Sequence, residues 1–215
     1  MKVFSSWSGG KESALASHMA ICQGHRVWRL VSFVSEDGKR SRGHGVSAQI
    51  LDLQAKALGI PLVRVRTSWG DYEENFKKVA RELKEEGVRG GVFGDIDLEE
   101  HREWIERVCG ELGMKAILPL WGLDSRTVLE TFLALGFRAR VVATRLDERL
   151  LGKDIDEDFL AEIQRFECHL CGEAGEYHTL VTDGPIFRRP LEVAPAKKER
   201  RDGVWFLDLV PQPEE

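Results

Sequence analysis

Three stretches of this chain put reactive side chains beside glycine. The first is Ser8-Gly9-Gly10-Lys11-Glu12-Ser13, shortly after the apolar stretch Lys2-Val3-Phe4 and ahead of the helix-like run Ala14–Met19. A strand, a Gly-Gly bend and a helix N-terminus form an anion site, because unpaired amides and the helix dipole face the same way. The spacing is not that of the Walker loop, which needs Gly-x-x-x-x-Gly-Lys-Ser/Thr. The second is Gly94-Asp95, behind the apolar stretch Gly91-Val92-Phe93. An aspartate at a strand's carboxyl end suits Mg²⁺ shared with phosphates, and equally suits a turn into the next helix. His101 and Arg102, which follow, read as surface charge. The third is Cys171-Gly172-Glu173-Ala174-Gly175-Glu176-Tyr177-His178-Thr179. Two carboxylates, an imidazole and a hydroxyl packed around two glycines can hold a metal, orient an amine or take its proton.

The elements that must position these groups alternate along the first half. Apolar periodicity predicts strands over Lys2–Ser6, Trp28–Val34, Leu62–Val65, Gly91–Gly94 and Lys115–Leu118. It predicts helices over Glu12–Gln23, Ser47–Leu58, Tyr72–Glu86, Leu98–Leu112 and Ser125–Leu135. Gly24 and Gly59 mark helix ends, and Asp71 reads as a helix N-cap. Such alternation predicts an α/β fold: a parallel sheet with helices on both faces and ligands at the strands' carboxyl ends. Past Trp121–Asp124 the texture changes. A helix over Asp156–Phe166 and strands over Arg138–Ala143, Tyr177–Val181, Ile186-Phe187 and Val204–Leu209 are expected, with turns at Asp183-Gly184-Pro185 and Asp202-Gly203. Lys197–Arg201 reads as a solvated loop, and Pro211–Glu215 as a frayed end. The expected division is residues 1–122 and 123–215.

The 215 residues carry 42% apolar and 31% charged side chains and a net charge of −5. This fits a soluble globular chain and weighs against a broad nucleic-acid-binding face. Four cysteines, no signal peptide and no membrane-length apolar run point to reduced thiols and a cytoplasmic setting. Cys22 and Cys109 fall in helix candidates and read as small core residues. Cys168-His169-Leu170-Cys171 contains a Cys-x-x-Cys pair. With His169 and His178 it reaches four zinc ligands only with crowding, so zinc is disfavoured.

In this order the three stretches resemble the diphthine–ammonia ligase family of PP-loop ATP-binding proteins. The likeness covers about residues 1–193. It includes His44-Gly45, Leu53-Gln54-Ala55 through Leu62, Phe93–Ile96, Pro119-Leu120-Trp121 and Cys171 through Phe187; Gly-Glu-x-Gly-Glu-aromatic-His-Thr is its most specific segment. The resemblance implies a Rossmann-like PP-loop ATP-binding domain (1–122) and a smaller α+β substrate-binding lobe (123–215). It implies ATP and Mg²⁺ as cofactors, and a reaction that adenylates a carboxylate and lets ammonia displace AMP. By position, Ser6, Ser8, Gly9, Gly10, Lys11, Glu12, Ser13, Gly94 and Asp95 would bind the nucleotide, with Asp95 on the metal. Lys11, Glu173, Glu176, His178 and Thr179 would be catalytic. The acceptor would be diphthine on a translation elongation factor, or a small metabolite if the source is bacterial; a homodimer is the candidate assembly. Glu12 stands where the family has Asp, which leaves its role unassigned, and the Cys-x-x-Cys pair of Cys168 and Cys171 departs from the family pattern. Two other readings stand beside this one. One is a sulfur-transfer PP-loop enzyme acting on RNA through Cys168 or Cys171; the other is a non-catalytic ATP-binding module.

Overall fold

A computed structural model describes residues 1–212. Five parallel strands form the first sheet: β1 (Lys2–Ser6), β2 (Arg26–Val34), β3 (Leu62–Arg66), β4 (Gly90–Val92) and β5 (Lys115–Ile117), in the order β3-β2-β1-β4-β5. Four helices connect them: α1 (Lys11–Cys22), α2 (Ala48–Leu58), α3 (Tyr72–Glu85) and α4 (Glu99–Glu111). Residue alternation along β1 sends Val3 to one face and Phe4 to the other. Val3 packs with Leu15, Ile50 and Leu51 of α1 and α2, Phe4 with Phe76, Leu83 and Ile105 of α3 and α4. The expected doubly covered parallel sheet is therefore present. The strand order reverses beside β1, so a crevice opens between the carboxyl ends of β1 and β4.

Helix boundaries follow local chemistry. Ser47 caps α2 by accepting from the Ile50 amide, and Gly59 ends it with φ 69°, a conformation that costs glycine little. Asp71 precedes α3 but does not cap it. Its carboxylate accepts from Ser68 Oγ instead.

After β5 come α5 (Ser125–Ala134), β6 (Arg138–Thr144), α6 (Glu157–Ile163), β7 (Tyr177–Asp183), β8 (Val193–Arg201) and β9 (Val204–Pro211). The second sheet is antiparallel in the order β7-β6-β9-β8. Asp202 and Gly203 close the β8–β9 hairpin with φ 49° and 81°, the two-residue turn that matches strand twist.

Five expectations are corrected here. Lys197–Arg201 is the end of β8, not a loop; an outer strand with both faces wet tolerates a charge run. Ile186-Phe187 lies in a turn closed by the Phe187 amide on Gly184 O, not in a strand. The helix expected to reach Phe166 stops at Ile163. Cys22 is exposed at the end of α1, although Cys109 is buried as expected. Pro211 closes β9 and the Gln212 amide bonds Glu192 O, so that part of the end is tied down; residues 213–215 lie outside the described residues. Among the described residues no helix is long and apolar enough to cross a membrane.

Candidate functional site

The Gly-Gly loop is built from the chain's own demand for partners. Gly9 holds φ 86°, and its carbonyl accepts from the Val181 amide (2.9 Å) and from Gln54 Nε2 (3.0 Å). Gln54 is fully buried; its Nε2 also reaches Val181 O (2.7 Å) and its Oε1 accepts from Trp7 Nε1 (2.7 Å). Thr179 Oγ1 accepts from the Lys11 amide (3.1 Å), and His44 Nδ1 lies 3.0 Å from Thr179 O. β7 is the outer strand of its sheet, and the loop covers its free edge. At Gly10 a Cβ would stand 2.4 Å from His44 Cε1, so only glycine lets the imidazole approach. The amides of Glu12 and Ser13 take no acceptor among the described residues; Ala14 is the first in α1 to bond back, to Gly10 O (3.1 Å). Two of the four N-terminal donors of α1 are thus left for a ligand.

Gly94 and Asp95 meet this loop from β4. A Cβ on Gly94 would come within 2.8 Å of the Glu12 carbonyl carbon, so glycine sets how closely the two segments pack. Asp95 Oδ1 lies 3.0 Å from His101 Nδ1, and this contact raises the His101 pKa. His101 is therefore part of the site rather than stray surface charge.

The third stretch arrives through the turn before β7. Lys11 is 2% exposed: Nζ donates to Cys171 O (2.6 Å), pairs with Glu12 Oε1 (2.6 Å) and lies 4.3 Å from the Tyr177 ring centre. Burial opposes its charge, but Glu12 and the neighbouring Tyr177 and Cys171 outweigh that and raise its pKa. Glu12 thereby gains a role in this fold as the counter-ion of a buried ammonium. Glu173 is pushed up to about 8, first by burial and then by Glu12 and Asp95. His178 stacks on His44 with ring centres 4.5 Å apart. Burial lowers the pKa of both, that of His178 furthest, and both are neutral near pH 7. Glu176 points elsewhere. Its Oε1 accepts from the His169 amide (2.9 Å), and its carbonyl from the Arg145 amide (2.8 Å), so it shapes the turn.

Two adjoining cavities result. One of about 210 Å³ is lined by Ser8, Lys11, Glu12, Ser13, Gly94, Asp95, Glu173 and His178. A neighbour of about 480 Å³ is walled by Trp7, Phe33, Trp69, Tyr72, Phe93 and Trp104. Ser6, Ser8, His44, Asp95, His101 and His178 border both. The first is polar and anion-facing; the second has the size and aromatic walls of a ligand pocket. Sequence reasoning brought together the loop, Asp95 and Glu173 but gave no role to the aromatic wall, His44 or His101.

The thiols do not converge on a metal. Cys171 Sγ donates to Ser125 O (3.2 Å), Cys168 Sγ faces Ile163 O (3.9 Å), and His169 Nε2 lies 3.0 Å from Asp97 Oδ2. Among the described residues no three of His, Cys, Asp and Glu could hold a metal ion together.

Comparison with known proteins places the chain among known families. The profile of the diphthamide synthase N-terminal domain matches residues 1–116, and that of the diphthamide synthase C-terminal domain matches residues 124–210. The chain is similar to the diphthine–ammonia ligase of Schizosaccharomyces pombe, at 31% identity over 88% of this chain and 35% of that protein. It is similar to that of Danio rerio at 30% over 89% of this chain and 86% of the relative, and to that of Homo sapiens at 30% over 90% and 83%.

Proposed function

Because the chain belongs to the diphthamide synthase family, we propose that it is an ATP-dependent ligase that adenylates a carboxylate and amidates it with ammonia. The observation that carries this reading is the convergence of the Gly-Gly loop, Asp95 and the Glu173–His178 segment on two joined cavities at the sheet's switch point.

The aromatic cavity suits an adenosine, and the smaller one its phosphates. The unclaimed Glu12 and Ser13 amides and the dipole of α1 face the anionic oxygens. Mg²⁺ is normally held by one or two carboxylates together with the nucleotide's own oxygens, which fits a site with no three-ligand protein cluster. Asp95 would hold it, and the ion would supply charge neutralisation on the phosphates. Lys11 contributes indirectly: its ammonium fixes the Cys171 turn from inside the fold.

In the first step a carboxylate oxygen bonds to the α-phosphorus and the bond to the β-phosphate bridging oxygen breaks, releasing pyrophosphate. In the second, ammonia bonds to the acyl carbon, the acyl–oxygen bond breaks and AMP leaves. The attacking nitrogen must shed a proton. His178, kept neutral by burial, is a ready acceptor beside the cavity, whereas Glu173, pushed up to about 8, already carries a proton near pH 7. Diphthine on a translation elongation factor is the acceptor this family membership favours.

The sulfur-transfer alternative gains nothing from the thiols. Burial raises the pKa of both Cys171 and Cys168, which leaves little thiolate for attack. The test is incubation with ATP, ammonium and a diphthine-bearing elongation factor, reading AMP and the amidated product. Asp95→Ala is expected to lower AMP formation by about 100-fold, the scale of losing one electrostatic stabiliser. Undiminished AMP release would remove Asp95 from the reaction.

A further inference from the structure

A third cavity of about 910 Å³ opens beside the aromatic one and shares Arg42, Gly43, Trp69 and His178 with it. Its walls come from the segment after β2, the end of β6 and the β8–β9 hairpin. In a chain of net charge −5 it gathers Lys39, Arg40, Arg42, Arg145 and Arg201 against Glu36, Asp37 and Asp202.

Three of these cations are already matched. Arg40 makes a two-pronged pair with Asp208 (2.6 and 3.1 Å), Arg201 pairs with Glu199 (2.9 Å), and Lys39 lies 3.9 Å from Asp37. Arg42 and Arg145 have no carboxylate partner among the described residues. Arg42 donates through Nη1 to Thr67 O (2.7 Å), and its guanidinium carbon lies 4.4 Å from the Trp69 ring centre; its Nε is buried without an acceptor. Arg145 is rooted by its own amide on Glu176 O, and its exposed guanidinium passes over Gly175, where a Cβ would lie 3.7 Å from Nη1. Arg145 and His178 line this same cavity.

We propose that this cavity receives the acceptor, presented on a polypeptide, and that Arg42 and Arg145 engage its carboxylate beside His178 and direct it toward the adjoining nucleotide cavities. The proposal rests on the ligase reading above. A guanidinium fork matches a carboxylate in shape and charge, and an unpaired one facing a cavity has that capacity unspent. At about 910 Å³ the cavity exceeds both neighbours, leaving room for more than one side chain.

The test compares wild type, Arg145→Ala and Arg145→Lys with a diphthine-bearing elongation factor and with free diphthine. A non-hydrolysable ATP analogue measures nucleotide affinity separately. Arg145→Ala is expected to raise the KM for the protein acceptor about tenfold or more with kcat nearly kept, and Arg145→Lys to recover part of it. The Kd of the ATP analogue should stay within about twofold, since Arg145 lines neither of the two cavities assigned to the nucleotide. An unchanged acceptor KM in Arg145→Ala, or a loss confined to the ATP analogue, overturns the assignment. Equal KM for free and protein-borne diphthine overturns the polypeptide part. No amide formed by the wild type on either substrate overturns the ligase reading itself.

Discussion

Glu173 is a carboxyl in the wrong solvent. Its folded value of about 8, against 4.5 for the free group, means that the folded chain keeps a proton the unfolded chain releases between those two values. Stability contributed by this proton is present below pH 4.5 and is lost as pH rises through 8. Glu173→Gln should therefore flatten the decline of the thermal midpoint between pH 5 and 8, measured by scanning calorimetry against wild type; parallel curves would contradict the burial argument. His44 and His178 act with the opposite sign. Their depressed values mean the unfolded chain binds more protons just below 6.5, so stability falls as pH drops beneath that point. His178→Gln should reduce that acid loss in the same scans. The sequence made Glu173 and His178 visible because they sit in one short polar stretch. The aromatic wall was invisible because Trp7, Trp69 and Trp104 come from three separate segments; three of the chain's six tryptophans in one cavity is a signal only folding reveals. Lys11 was legible by type but not by direction. A lysine in a Gly-Gly loop suggests a phosphate partner, and only the packing of the Cys171 turn shows that its ammonium is enclosed.

Gln54 shows what joins the elements. One buried amide serves Trp7, Gly9 and Val181, and so ties β1, the loop and β7 together. Gln54→Ala would strand these groups in a dry interior. A cost on the order of 2–4 kcal/mol is expected in urea unfolding, since each buried group left unpaired costs about 1–3 kcal/mol. A loss below about 0.5 kcal/mol would mean that water replaces the amide. The parallel half was legible because its buried strands are short apolar runs set between amphipathic helices. β8 was not, because an outer strand needs no apolar face, and Lys197–Arg201 carries none. Gln54 falls in a segment of the family likeness, but its role as a buried link was not legible, since a glutamine on a helix reads as surface until its neighbours are known.

At the scale of the whole molecule, one hydrophobic cluster runs from Val3 and Leu15 through Leu129 and Phe159 to Leu180 and Leu209. It crosses the change of texture near residue 122. Arg40 and Asp208 bridge the same junction from outside the core. Unfolding should accordingly be a single transition: far-ultraviolet circular dichroism and tryptophan fluorescence are expected to give coincident urea midpoints. Two separated midpoints would show that residues 1–122 and 123–215 fold independently. The sequence marks a change in composition near residue 122 but cannot show that the core continues past it, because apolar periodicity identifies buried faces and not their partners. The covered edge of β7 has one more consequence. The second sheet ends on one side in the charge-studded β8 and on the other under the Gly-Gly loop. Both of its borders are thus closed to strand-by-strand self-association. Any opening of the loop would uncover a sticky border, so the same few hydrogen bonds that shape the anion site also guard the chain against clumping.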